Sequence, residues 1–174
     1  SSGVGRRQLW NSLSLIHVPA SGRVRRRRPL PTSLSSYLVM DILDETRLTQ
    51  VQPPAPVIER FFGVAPGEDA TLRLSIITSE GLSQPIERMI VRSNYMRRIE
   101  IPQIRELERP CGIVFVRLPG AGRQFAYCVV ARGTDAYARL DRLLRRTGEH
   151  SRERRFLIGR RNDGNWREVE PLLS

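Results

Sequence analysis

The feature that most constrains the fold is a succession of short strand-like runs broken by turn residues, with helical periodicity in two places. Apolar runs at 112–118 and 124–132 flank Pro119-Gly120-Ala121-Gly122-Arg123, a pattern that predicts a hairpin closed by a loop longer than two residues. Residues 71–78 alternate, with Leu72, Leu74 and Ile76 on one face and Thr71, Arg73 and Ser75 on the other. Residues 37–43 are apolar on both faces and read as a buried strand. Residues 12–18, 86–92 and 97–101 are further strand candidates. Residues 156–161 and 165–169 flank Asn162-Asp163-Gly164, which predicts a second hairpin.

Two segments read as helices. Residues 56–62 set Val57, Ile58, Phe61 and Phe62 ahead of Gly63 as a stop. Residues 135–146 place Tyr137, Leu140, Leu143 and Leu144 on one face. Thr134 or Asp135 can cap that helix, Arg145 and Arg146 suit its negative end, and Gly148 follows. Many strands with two short helices predict a mainly β fold, a closed or half-closed barrel with helices at its ends. The long β stretches oppose a doubly wound α/β sheet. A chain of 174 residues suits one domain, read as a unit over 1–148 with a C-terminal basic segment and β-hairpin, 149–174, packed on it.

The chain carries 29 basic and 18 acidic residues, a net charge of +11, and every basic residue is arginine. A P-loop, a phospholipase-D-type nuclease site and the usual restriction-nuclease metal motif each need a lysine, so none can be complete here. Arginine does not replace it, because it does not deprotonate and its fork is shaped for bidentate contacts. The chain itself therefore reads as no enzyme, with no cofactor and no metal site. No apolar run approaches the roughly 18–20 residues of a membrane helix, and no signal peptide is evident. Cys111 and Cys128 lie in strand-like contexts without a CxxC and read as buried thiols, a bridge between neighbouring strands being the alternative. A cytoplasmic location is expected.

Such a basic balance points to a polyanionic partner. Around Ser21, five arginines fall within six positions: Arg23, Arg25, Arg26, Arg27 and Arg28. Charges this dense repel one another unless a polyanion neutralises them. The functional reading is a loop lying against nucleic-acid phosphates with an arginine in a groove; the bland one is a solvated basic loop. Arg92, Ser93, Asn94, Tyr95, Arg97 and Arg98 form the second candidate. Asn pairs bidentately with adenine and Arg with guanine, while Ser or Tyr suits phosphate. Ser-Asn also favours ordinary turns. In 151–161, Arg152, Arg154, Arg155, Arg160 and Arg161 interleave with Glu153 beside Glu149, as on a solvated face with local ion pairs. Trp10 and Trp166 read as packing residues, with base stacking the alternative. Asp41, Asp44 and Glu45 look like a metal or acid–base cluster at first glance but lack a nearby histidine.

The order of segments resembles the B-three-like DNA-recognition domains of type II restriction endonucleases. These include the EcoRII-type N-terminal effector-binding domain and the C-terminal domains of BfiI/NgoFVII-type phospholipase-D-family enzymes. The resemblance runs from Leu13 to Leu144. It is carried by SLSLIHVPASGRV at 12–24, PAPVIERFFG within 47–63, LRLSIITSEG at 72–81, VRSNYMRRIEIP at 91–102 and the hairpin and helix of 113–144. It implies a seven-stranded open pseudobarrel projecting two arms into the DNA major groove. The first arm would be 21–28 and the second 92–98. The first is richer in arginine than the family pattern, residues 33–37 do not reproduce the Ser-Gly-Leu-Asn-Trp common in the phospholipase-D-type group, and 156–174 has no counterpart.

Together these readings give a sequence-specific double-stranded-DNA-binding domain. It would be the recognition or effector part of a restriction endonuclease whose catalytic nuclease domain lies elsewhere in the parent protein, with no membrane partner. An RNA-binding or ribosome-associated basic β-barrel is the second expectation. A metal enzyme built on Asp41, Asp44 and Glu45 is the third.

Overall fold

The computed structural model describes residues 15–17, 25–27, 36–43, 48–93, 96–151 and 154–173, with backbone alone at 15–17, 25–27, 92–93 and 96. The strands are β1 (Leu15–His17), β2 (Arg25–Arg27), β3 (Ser36–Ile42), β4 (Gln50–Val51), β5 (Thr71–Thr78), β6 (Gly81–Leu82), β7 (Ile86–Met89), β8 (Val91–Ser93), β9 (Met96–Glu100), β10 (Cys111–Arg117), β11 (Gln124–Val130), β12 (Glu149–Ser151) and β13 (Arg154–Arg160). The helices are α1 (Ala55–Arg60), α2 (Asp135–Thr147) and α3 (Trp166–Val169), with 3-10 turns at Pro102–Ile104 and Glu170–Leu172.

The central sheet runs β12-β13-β3-β10-β11-β5-β6, with β7 also paired to β5. Its β11–β5 pairing is parallel and its other pairings are antiparallel. A second sheet, β4-β9-β8, and a ribbon, β1-β2, complete the described strands. The path does not close on itself among the described residues, so the fold is mainly β and open, as an open pseudobarrel requires.

Strand alternation sorts the core into two faces. Leu38, Met40 and Ile42 of β3 point one way with Ile113 and Phe115 of β10 and Phe125 and Tyr127 of β11. Tyr37, Val39, Val114, Val116, Ala126 and Cys128 point the other way. The first face is covered by α1, β4, β9 and the Pro102–Ile104 turn through Val51, Val57, Ile58, Phe61, Phe62, Ile99 and Ile104. The second is covered by α2, α3 and the Glu170–Leu172 turn through Leu140, Leu143, Leu144, Val169 and Leu172. Helix α1 has six residues, too few to stand alone, and is fixed by packing. Phe62 meets Phe115 and Phe125 edge-on at centroid separations of 5.3 and 5.0 Å. Each such burial contributes about 1.5–3 kcal/mol.

Helix α2 begins as the sequence predicts, with the Thr134 hydroxyl accepting the Tyr137 N–H at 3.1 Å. It lies so close on β10 that a Cβ at Gly112 would collide with Leu140 Cδ1. Cys111 and Cys128 are buried and form no disulfide, and they fall on opposite faces of the sheet, which excludes a bridge between them.

The tail departs from expectation. Residues 165–169 contain helix α3 rather than a strand, and the antiparallel partners of β13 are β12 and β3. The cause is Asp163. One of its carboxylate oxygens accepts the N–H groups of Asn165 and Trp166 at 3.0 and 3.1 Å, starting a helical turn where a strand would have returned. The Tyr37 hydroxyl donates to the same carboxylate, and Trp166 packs on Tyr37 at 5.5 Å between ring centroids. Trp166 is thus a packing residue.

Candidate nucleic-acid interface

The second arm maps onto the β8–β9 hairpin. Its register pairs Val91 with Arg98, Arg92 with Arg97, and Ser93 with Met96. On its other side β9 pairs with β4, and buried Ile99 and Ile101 root it in the core. Asn94 and Tyr95 lie outside the described residues, and Arg92 and Ser93 are placed by backbone alone.

Arg97 ties this hairpin to the body. Its Nη1 donates to the Glu68 carbonyl at 2.7 Å. The Glu68 side chain accepts from Arg123 Nη2 at 2.7 Å and from the Ala65 N–H at 2.8 Å, while Arg123 also donates to the Gly63 carbonyl. Three segments meet at Glu68: the hairpin, the 63–70 loop and the β10–β11 loop. The hydrogen bond from Arg123 holds the Glu68 carboxyl below its ordinary range. Arg98 is 8% exposed and belongs to the buried base of the hairpin.

Of the first arm, Arg25, Arg26 and Arg27 form a strand, where the sequence reading has a loop. Their backbones pair antiparallel with His17, Ile16 and Leu15. Dense like charge does not prevent backbone pairing, because the ladder uses main-chain groups that every residue carries. Ser21, Arg23 and Arg28 lie outside the described residues.

The third arginine cluster serves packing as well as surface. Arg154 donates to the carbonyl and side-chain oxygens of Gln52. Arg155 bridges Asp41 at 2.5 Å and Asp141 at 2.8 Å, tying β13 to β3 and to α2. Burial works against the Arg155 charge, yet hydrogen bonds to the two aspartates hold its pKa above the ordinary arginine value. Arg160 and Arg161 are exposed; Arg152 and Glu153 lie outside the described residues. Asp41 is therefore an ion-pair partner inside the sheet. Asp44 and Glu45 lie outside the described residues, among which no group of three or more His, Cys, Asp or Glu could hold a metal.

Two features escape the sequence. Ile86, Met89 and Val91 are large apolar side chains that stand exposed along β7 and into β8, beside the hairpin. IERMIVR lacks the clean alternation that would have marked them. Several arginines also act inwardly. Arg109 Nη1 donates to the Ile104 and Leu107 carbonyls, and Arg132 donates to the Arg109 carbonyl.

No protein-family model matches the chain, and no curated protein is similar to it. Among solved structures, the N-terminal domain of Helicobacter pylori LlaJI.R1 is similar, with a TM-score of 0.51 at 13% identity. The match covers 71% of this chain and 97% of that one. At this identity the likeness is one of fold. No helix among the described residues is long and apolar enough to cross a membrane.

Proposed function

We propose that this chain is a sequence-specific double-stranded-DNA-binding domain of a restriction system, acting as the recognition or effector part of a restriction endonuclease. The observation that carries the reading is the fold likeness to nearly the whole N-terminal domain of LlaJI.R1, a restriction-system protein, in a chain with a net charge of +11. The binding unit is the pseudobarrel of 1–148 with 149–174 packed on it. Two arms enter the major groove. The first comprises Ser21, Arg23, Arg25, Arg26, Arg27 and Arg28; the second comprises Arg92, Ser93, Asn94, Tyr95, Arg97 and Arg98.

The roles within the second arm divide by chemistry. Arg97 spends one guanidinium nitrogen on the Glu68 carbonyl and so sets the angle of the hairpin. Asn94 reads a base edge bidentately, and Arg92 anchors phosphate or guanine. A cytoplasmic setting and a catalytic domain elsewhere in the parent protein belong to the same reading.

Selection of bound duplexes from a random library at about physiological salt, with structured RNA as competitor, tests it. Enrichment of a short motif supports the proposal. Retention without enrichment, or preference for the RNA, overturns it in favour of a general RNA-binding or ribosome-associated protein, because an A-form major groove is too narrow for the arms.

A further inference from the structure

Helix α2 presents a second basic surface that neither arm includes. Its apolar side, Leu140, Leu143 and Leu144, is buried against the sheet. Arg139, Arg142 and Arg146 recur at helical spacing along one flank of that side, and all three are exposed. Arg167 of α3 is exposed beside them. Arg146 is paired with Glu168 at 2.6 Å, whereas Arg139, Arg142 and Arg167 make no ion pair or hydrogen bond among the described residues. The hydrogen bond from Arg146 holds the Glu168 carboxyl below its ordinary range, with Arg167 and Arg139 adding to the effect. One carboxylate thus sits among three guanidinium groups, those of Arg146, Arg167 and Arg139.

The placement of this surface matters. The hairpin belongs to the layer on the first face of the sheet, through Ile99, whereas α2 and α3 cover the second. With layers packing about 10 Å from a sheet, the two basic surfaces stand on opposite sides of the molecule. At 1.5 Å per residue, Arg139 and Arg142 stand about 4.5 Å apart along the helix axis, comparable with the rise of about 3.4 Å per phosphate along one strand of a duplex.

We infer that Arg139, Arg142 and Arg167 form a sequence-independent docking surface for the phosphate backbone of a second duplex segment, so that one chain bridges two stretches of DNA. Calling the segment second rests on the proposed function; the phosphate binding itself does not. Arginines near one another, with no ion pair or hydrogen bond among the described residues to break first, can neutralise phosphate without giving up a protein contact.

The test uses the full chain, a random-sequence duplex as probe, and the variant Arg139→Gln/Arg142→Gln/Arg167→Gln. Arg146 stays in place, because its ion pair joins α2 to α3. Bridging is read as capture of a labelled duplex by an immobilised one through the protein, and the salt dependence of affinity is read in parallel. The expected result is at least a tenfold loss of bridging and a log–log salt slope shallower by about 0.9 for each phosphate no longer neutralised. The single variant Arg142→Glu, at a solvated position, should move both readouts the same way. Bridging and slope unchanged in both variants, a wild-type chain that holds one duplex, or structured RNA displacing duplex from this face would each overturn the inference. The Asn94→Ala chain separates this outcome from the fate of the proposed function. If it loses sequence preference while bridging persists, both stand. If no chain shows sequence preference yet the helix variants lose bridging, the recognition reading falls and this one holds.

Discussion

Arg155 distinguishes an arginine that builds the fold from one that meets a polyanion. Its guanidinium lies between Asp41, whose side chain is 4% exposed, and Asp141, and is itself 18% exposed. Replacing it with methionine keeps much of the apolar stem but leaves the Asp41 carboxylate buried without its cation. The second carboxylate oxygen of Asp41 is already buried without a hydrogen bond, so little is left to compensate. Breaking a buried pair from one side costs about 3–5 kcal/mol. With a urea m-value of about 2 kcal/mol/M, the midpoint should fall by about 1.5–2.5 M. The double variant Asp41→Asn/Arg155→Met removes the stranded charge and should recover most of that loss. Urea denaturation followed by circular dichroism measures both. A midpoint shift below about 0.5 M for Arg155→Met, or a double variant no more stable than the single one, would refute the view that Arg155 is spent on the interior.

Three other outcomes are expected. Gly112→Ala should destabilise by about 1–3 kcal/mol through overlap with Leu140, and adding Leu140→Ala should remove the clash at the expense of a cavity, both measurable by thermal unfolding. Glu68 is held below its ordinary 4.5, so its contribution to stability is full above that pH and is lost as pH falls through the folded value. The melting temperature of the wild type should therefore drop more on acidification below pH 4.5 than that of Glu68→Gln. On the DNA side, neutralising Arg25–Arg28 should weaken binding to every sequence and flatten the salt slope by about 0.9 per phosphate released, whereas Asn94→Ala should cost about 1–3 kcal/mol on a selected site and little on random duplex. Equal losses on both duplexes would make Asn94 a turn residue.

Of the strands that build the core, Thr71–Thr78 was legible from its period-two alternation, and β3, β10 and β11 from short apolar runs bounded by turn residues. Thr71–Thr78 is found at the predicted bounds, and the β10–β11 hairpin encloses the expected loop. Helix α2 was legible from its cap and its leucine spacing. The two-residue strands β4 and β6 were not, because so few residues carry no period, and they exist through their neighbours. Residues 165–169 misled because Asn-Asp-Gly suits a hairpin, and nothing local announces that Asp163 will also receive the hydroxyl of Tyr37, distant in sequence. The interface is harder still. An arginine that satisfies three backbone carbonyls, as Arg109 does, and one that faces water, as Arg142 does, have the same letter.

The position of β3 has a consequence for how the chain is made. This strand sits between β10 and β13, with Met40 opposite both Ile113 and Phe156. At a synthesis rate of about 5–20 residues per second, Phe156 is added about 6–23 s after Met40. During that interval one edge of a largely apolar strand has no partner, and the second face of the sheet lacks Val169 and Leu172. A nascent chain of this design carries an unpaired strand edge, an aggregation hazard, until its last strand arrives.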